Sequence, residues 1–284
     1  MREIVAGIDG TPASESALDW AVMIAERFAA RLLLVGVVDL NIASVLSPEF
    51  TDSHARDVEA MLEEAKTSTT GLIVETRRSF GRVVSELVAQ SKNASLLVIG
   101  TDKTGTIAGI VHGTTPLKVA DSAECPLVVV PTTWKDVTGP VVVGIDDATD
   151  GAAIEFAAVM AETLRTELHL VHVWGVAPLV LADPMQLRRL TAELEAAGRL
   201  VLDKVAGGIA KTHPNVRLTK ELVEGDPSLA VLTVVRKTAG ARLVVVGTHR
   251  YGPFSSLLLG SVGHDLLMNM PCPVAIVPPT RKGQ

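Results

Sequence analysis

The chain has 284 residues, enough for one large domain or two ordinary ones. Hydrophobic residues make up 48% of it and aromatics 3%, a bias that suits parallel strands buried on both faces under Ala-rich helices. A net charge of −6 argues against a nonspecific nucleic-acid partner, which needs a basic surface, and no apolar run is long enough to span a bilayer.

MREIVAGIDG enters a strand pattern at once, at 3–9, so no signal peptide is visible and a cytoplasmic protein is expected. Ala17, Leu18, Ala21, Ile24, Ala25 and Phe28 then recur at helical spacing. Further strands are expected near 32–38, 72–78, 95–100 and 126–131, and helices near 53–68, 81–92 and 115–122. After a polar stretch the order begins again. Strands fall near 141–146, 168–174, 215–223, 242–247 and 273–278, with a longer second helix near 185–211.

The letters repeat as well. "IVAGIDGTPASESALDWA" from Ile4 matches "VVVGIDDATDGAAIEFAA" from Val141, and "RLLLVGVV" from Arg31 matches "ELHLVHVW" from Glu167. "LLVIGT" from Leu96 matches "LVVVGT" from Leu243, and "CPLVVVP" from Cys125 matches "CPVAIVP" from Cys272. A period of about 140 residues is too long for a solenoid and implies two copies of one domain. The expected organisation is a domain at 1–131, a linker at 132–139, a second domain at 140–279 and a tail at 280–284. The expected fold class is α/β: two tandem doubly wound, Rossmann-like domains, each a five-stranded parallel sheet of order 3-2-1-4-5 with helices on both faces.

Open sheets of this kind bind ligands beyond the carboxyl ends of the strands, where the winding reverses, here between strands one and four. Strand one ends in Gly7-Ile8-Asp9 and strand four in Gly100-Thr101; the second copy has Gly144-Ile145-Asp146 and Gly247-Thr248. Each Asp has two open explanations, a cap for the following helix, toward Thr11 or Ala13 in the first copy, or a ligand contact. Opposite stand the glycine-bearing stretches GTDKTGTIAGIVHGT from Gly100 and GTHRYGPFSSLLLGS from Gly247. Glycine lets backbone N–H groups approach an anion closely. Gly113-Thr114-Thr115 and Gly260-Ser261-Val262 then open the final helices, whose N-termini favour negative charge.

"GIDGTP", "LHLVHVW" and "GSVGHDLL" followed by "CPVAIVP" resemble the universal stress protein family, as a tandem member covering nearly the whole chain. The family's nucleotide-binding members carry Gly, two residues, Gly, nine residues, then Gly and Ser or Thr. Gly100 with Gly113-Thr114, and Gly247 with Gly260-Ser261, match the ends of that pattern. Lys103 and Arg250 replace its middle glycine, while Gly105 and Gly252 stand two residues later. The resemblance implies that ATP, with or without magnesium, binds in each copy. Gly7, Ile8, Asp9 and Gly144, Ile145, Asp146 would contact the nucleoside, Val37 and Val173 would pack by the adenine, and the loops would cradle the phosphates. A middle position that needs positive φ would strain Lys103 and Arg250 by roughly 1 kcal/mol or more; alternatively, a cation there reaches the triphosphate. The resemblance also implies that "PLVVVP" and "PVAIVP" pair inside one chain as a pseudo-dimer, and two chains could associate further.

Three functions compete: an ATP-binding stress-response or signalling regulator, a nucleotide-free dimerising scaffold, and a slow ATP-hydrolysing or adenylating enzyme. No Gly-x-x-x-x-Gly-Lys-Ser/Thr loop, Gly-x-Gly-x-x-Gly fingerprint or Ser-Gly-Gly-x-Asp loop is present, so the chain is not expected to be an enzyme. His169 and His172 stand at i, i+3 in a strand and face opposite sides, so they cannot share a metal. His172 is expected to pack, and His249 to be a solvated loop residue. Cys125 and Cys272, each before a proline, are expected to be small buried residues at strand starts.

Overall fold

The structure, a computed structural model, describes residues 1–40, 48–102, 115–146, 151–175, 184–238, 240–250 and 257–280, with the backbone course alone at 48–50, 184, 249–250 and 257–258. The first half runs β1 (Glu3–Gly7), α1 (Pro12–Phe28), β2 (Arg31–Asp39), α2 (Pro48–Ser68), β3 (Val74–Gly81), α3 (Val83–Ser91), β4 (Leu96–Thr101), α4 (Thr115–Ala120) and β5 (Leu127–Pro131). The second runs β6 (Val141–Ile145), α5 (Gly151–Thr163), β7 (Leu168–Trp174), α6 (Pro184–Thr212), β8 (Leu218–Glu224), α7 (Pro227–Lys237) and β9 (Leu243–Gly247). It closes with β10 (His249–Arg250), β11 (Leu257–Leu258), α8 (Ser261–Met268) and β12 (Val274–Val277).

Among the described residues, ten strands form one sheet of order β3-β2-β1-β4-β5-β12-β9-β6-β7-β8. Each half is parallel and has the order 3-2-1-4-5, as the alternating strand and helix patterns require. The two halves meet where β12 runs antiparallel to β5, with Val274 opposite Val129 and Ile276 opposite Leu127. Both strands are buried throughout. An unpaired Val-rich edge would invite aggregation, and here each half covers the edge of the other.

Two apolar layers sandwich the sheet, and each contains residues of both halves. One packs α1 and α5 through Ala17, Trp20, Ala21, Ile24, Ala157 and Met160; the other packs α3, α4, α7 and α8 through Leu87, Val119, Val231 and Leu266. Helix α1 begins as its sequence directs. Thr11 is the N-cap and accepts from Ser14 N at 3.2 Å, with Pro12 in the first turn. The stretch between the halves is packed rather than loose. Trp134 lies against the first layer, Ser16 Oγ donates to the Thr132 carbonyl at 3.2 Å, and the largely buried Arg242 pairs with Asp136 and donates to the Leu164 carbonyl.

Candidate functional site

The strand ladders open into a fork at the same place in both halves. Strands β1 and β4 pair as far as Ala6–Val98, and β6 and β9 as far as Val143–Val245. Outside the fork the pairing continues: Gly7 with Val35, Thr101 with Pro131, Ile145 with His172 and Gly247 with Val277. Beyond the last inner pair each central strand therefore continues in register with its outer neighbour, so the inner pairing ends before Gly7-Ile8-Asp9 and Gly100-Thr101 in one half and before Gly144-Ile145-Asp146 and Gly247-Thr248 in the other.

Strand alternation sorts the candidate residues between the two faces. Gly7, Val37 and Thr101 share the face of α3 and α4. A Cβ on Gly7 would lie 3.1 Å from Leu87 Cδ2 and 3.3 Å from Ile99 Cγ2, and Val37 packs half-buried on the same layer. Val173 does the same in the second half, and the buried Thr248 follows Val244 and Val246 on that face. Ile8 and Ile145 are buried in the opposite layer, so their side chains are core and only their backbone borders the fork. Gly100 also turns to that opposite face. A Cβ there would lie 2.1 Å from the Ala13 carbonyl oxygen and 2.7 Å from Ser14 N, so the first turn of α1 rests directly on the Gly100 backbone. Gly247 is less constrained, with 3.4 Å to Ala153 Cβ. The glycine at the end of β4 is thus required by helix packing, whatever else approaches it.

Asp9 is exposed and does not itself cap α1. Its Oδ1 accepts from Thr11 N at 3.0 Å and from Thr11 Oγ1 at 2.6 Å, which orients the hydroxyl that caps the helix at Ser14. Gly10 turns the chain at φ +77, where an L side chain is strained. Asp146 is likewise exposed at the end of β6.

Of the loop residues, Lys103, Gly105, Gly113, Thr114 and Gly252 lie outside the described residues. Thr115 starts the six-residue α4. Arg250 stands in a two-stranded hairpin, with His249 opposite Leu258 and Arg250 opposite Leu257. That ladder places Arg250 in strand conformation, which any L residue adopts, so the strain considered for a bulky middle residue does not arise there. The hairpin was not anticipated, since two-residue strands carry no periodic signal.

Two features of the second loop leave hydrogen-bonding capacity that its own side chains do not use. Thr248 is 2% exposed, and its Oγ1 is the buried side-chain oxygen that lacks a hydrogen-bond partner among the described residues. Leaving such a hydroxyl unpaired costs about 1–3 kcal/mol. Gly260 is the N-cap of α8 with extended backbone, so Ser261, exposed, and Val262, half-buried, start a helix whose cap residue offers its first N–H groups no side-chain acceptor.

The histidines behave differently from one another. His172 is buried, and its Nδ1 donates to the Ile145 carbonyl at 2.8 Å, fixing the peptide just before Asp146. The equivalent residue in the first copy is Gly36, and the packing compensates. A Cβ on Gly36 would meet Val58 at 2.6 Å, whereas in the second copy Gly198 of α6 makes room for His172, with 2.9 Å from its would-be Cβ to the ring. His169, on the other face, contacts Thr219 Oγ1 and Glu221. His264 lies 3.3 Å from Asp265. No three His, Cys, Asp or Glu side chains group to hold a metal among the described residues. Both cysteines are buried and free, and burial pushes each thiol up to about 12, so both stay protonated.

Asp121 escaped sequence reasoning. Its Oδ1 accepts from Leu259 N at 3.1 Å, across 138 residues, and nothing local in the sequence signals such a pair.

No described helix is long and apolar enough to cross a membrane. The universal stress protein family model matches residues 1–131 and again 138–278. A universal stress protein of Mycolicibacterium smegmatis is 27% identical, over 97% of this chain and 97% of its own. One from Mycobacterium tuberculosis is also 27% identical, over 96% of this chain and 94% of its own. The fold matches the crystal structure of a universal stress protein from Archaeoglobus fulgidus with a TM-score of 0.72 at 18% identity, covering 98% of each chain. With two matches in series and the same strand order in each half, the chain belongs to the universal stress protein family as a tandem two-domain member.

Proposed function

We propose that the chain binds an adenine nucleotide, ATP with or without magnesium, at the forks of its two domains, 1–131 and 140–279, and that occupancy serves a regulatory role in a cytoplasmic stress response. The observation that carries this reading is the unpartnered hydroxyl of Thr248, buried at the mouth of a fork whose loop ends in a helix start without a side-chain cap. A phosphate would supply an acceptor for the Thr248 hydroxyl and for the N–H groups that Gly260 does not cap, and the helix terminus favours its charge. Val173 and Val37 offer apolar surface on the same face, suited to a base, and the exposed Asp146 and Asp9 border the ribose end. Ile8 and Ile145 would contribute through their backbone. Gly247, Gly260, Ser261 and Val262, with Gly100, Thr101 and Thr115 in the first domain, would line the phosphate side, joined by Arg250, Gly252, Lys103, Gly105, Gly113 and Thr114 from the loops.

The role is binding rather than turnover: any magnesium would be carried mainly by the phosphates, with Asp9 and Asp146 the carboxylates nearest by sequence. The second reading, a nucleotide-free scaffold, is favoured by the continuous ten-stranded sheet, which already joins the domains without a ligand. Calorimetric titration with ATP and magnesium separates the two. Two sites per chain are expected, with one lost in Asp9→Ala and the other in Asp146→Ala. Absence of binding heat together with no co-purified nucleotide would leave the scaffold reading. Phosphate or pyrophosphate release at ordinary enzyme rates would restore the enzymatic one.

A further inference from the structure

The contact between Asp121 and Leu259 crosses from one domain to the other at the second loop. Leu259 directly follows the hairpin strand β11 and directly precedes Gly260, the N-cap of α8. Its N–H is held at 3.1 Å by the Asp121 carboxylate, just beyond the C-terminal end of α4. The returning strand of the second loop is therefore fixed on one side by its own hairpin and on the other by the first domain. The region around it is packed: the would-be Cβ of Gly263 lies 2.6 Å from Leu259 Cδ1, and Val119, Ala120, Leu266 and Leu267 belong to one apolar layer.

The repeat does not conserve this carboxylate. Counting from the equivalent residues Gly113 and Gly260, the position that matches Asp121 is Met268, which has no carboxylate. The carboxylate tether is thus a departure from the internal symmetry of the sequence. Helix α4 also starts at Thr115, directly after the first loop, and six residues at 1.5 Å rise make it only about 9 Å long. A short helix joins the end of one proposed phosphate loop to the carboxylate that holds the other.

We infer that Asp121 is a positioning residue for the second nucleotide site, so that this site is completed by the first domain. The inference rests on the nucleotide reading above. Holding Leu259 sets where the chain enters Gly260, and so where the first N–H groups of α8 point. A loop already held in place spends less ordering free energy on binding than a free one. Any coupling between the two sites through α4 must act equally in both directions.

Hydrogen–deuterium exchange on the full chain tests this with and without ATP. A hydrogen bond to a carboxylate in a partly exposed position predicts that Asp121→Ala speeds exchange of the Leu259 amide about tenfold without ATP. Asp121→Asn, which keeps an acceptor oxygen of the same reach, retains most of the protection. The ATP concentration that half-protects 257–264 should rise roughly three- to tenfold in Asp121→Ala, while that for the peptide around Gly7 and Asp9 stays within about twofold. Unchanged Leu259 exchange in Asp121→Ala would overturn the tether. Faster exchange with an unchanged ATP requirement would overturn the positioning role. If ATP protects neither domain of the unmutated chain, the nucleotide reading fails and the positioning role with it, whereas the exchange of Leu259 without ATP still reports whether Asp121 holds the loop.

Discussion

Substituting alanine for Gly100 separates what helix packing requires of this glycine from what a ligand would. The new Cβ would lie 2.1 Å from the Ala13 oxygen, 2.2 Å from the Ala13 carbonyl carbon and 2.7 Å from Ser14 N, all backbone atoms of the first turn of α1. No rotamer relieves a backbone clash, so the helix must retreat by more than about 1 Å to reach ordinary contact. That helix buries Ala17, Trp20, Ala21 and Ile24 to within 1% of full burial, and moving it loosens all of them. Overpacking costs about 1–3 kcal/mol as a rule and occasionally more, and the backbone clash puts Gly100→Ala at about 3 kcal/mol or above. For a protein of 284 residues that lowers Tm by roughly 5 °C. Gly247→Ala is the internal control, because its Cβ would meet Ala153 Cβ at an ordinary 3.4 Å; a change of less than about 1 kcal/mol is expected. Thermal unfolding followed by circular dichroism without nucleotide measures both. Equal losses in the two variants, or none in Gly100→Ala, would refute the packing account and leave ligand approach as the reason for the glycine.

Thr248→Val removes the unpaired hydroxyl at nearly constant volume, so the nucleotide-free protein should gain about 1 kcal/mol while ATP affinity at the second site falls; thermal unfolding and calorimetry read the two effects. His213, 8% exposed, places Nδ1 at 2.9 Å from Glu162 and Nε2 at 3.1 Å from Glu155, tying the end of α6 to α5. Its pKa is raised, chiefly by the hydrogen bond to Glu162, with Glu155 adding to it and burial opposing. A raised folded pKa means this stabilisation is complete below the unfolded value of about 6.5 and is lost as pH rises through the folded value. His213→Gln should therefore lower Tm by about 2 °C at pH 5.5, about 1 kcal/mol, and by less at alkaline pH. A Tm deficit that grows with pH would contradict the imidazolium assignment.

The order of elements was legible because it is written in local periods. Buried runs such as LLVIG and LVVVP have no polar face and must be central strands, and the repeated Asp after strand one marks the fork in each copy. Pairing of β5 with β12 was implied by the family resemblance, and a Val-rich last strand in each copy needs such cover. Residue identity alone could not separate the glycines. Gly100 and Gly247 align in the repeat, yet only the approach of Ala13 makes the first indispensable to packing. Nor could it foresee that Arg250 would lie in a hairpin, that Gly36 and Gly198 exchange the roles of small residue between strand and helix, or that Asp121 would reach Leu259. Secondary structure follows from backbone geometry and burial over a few neighbouring residues, so the sequence by itself determined the strands, helices and duplication. Which polar groups are satisfied, and which, like the Thr248 hydroxyl, are left for something else, depends on atoms brought close from distant parts of the chain. Only the tertiary structure decides that, because hydrogen bonding and close packing act over a few ångströms in space and take no account of distance along the sequence.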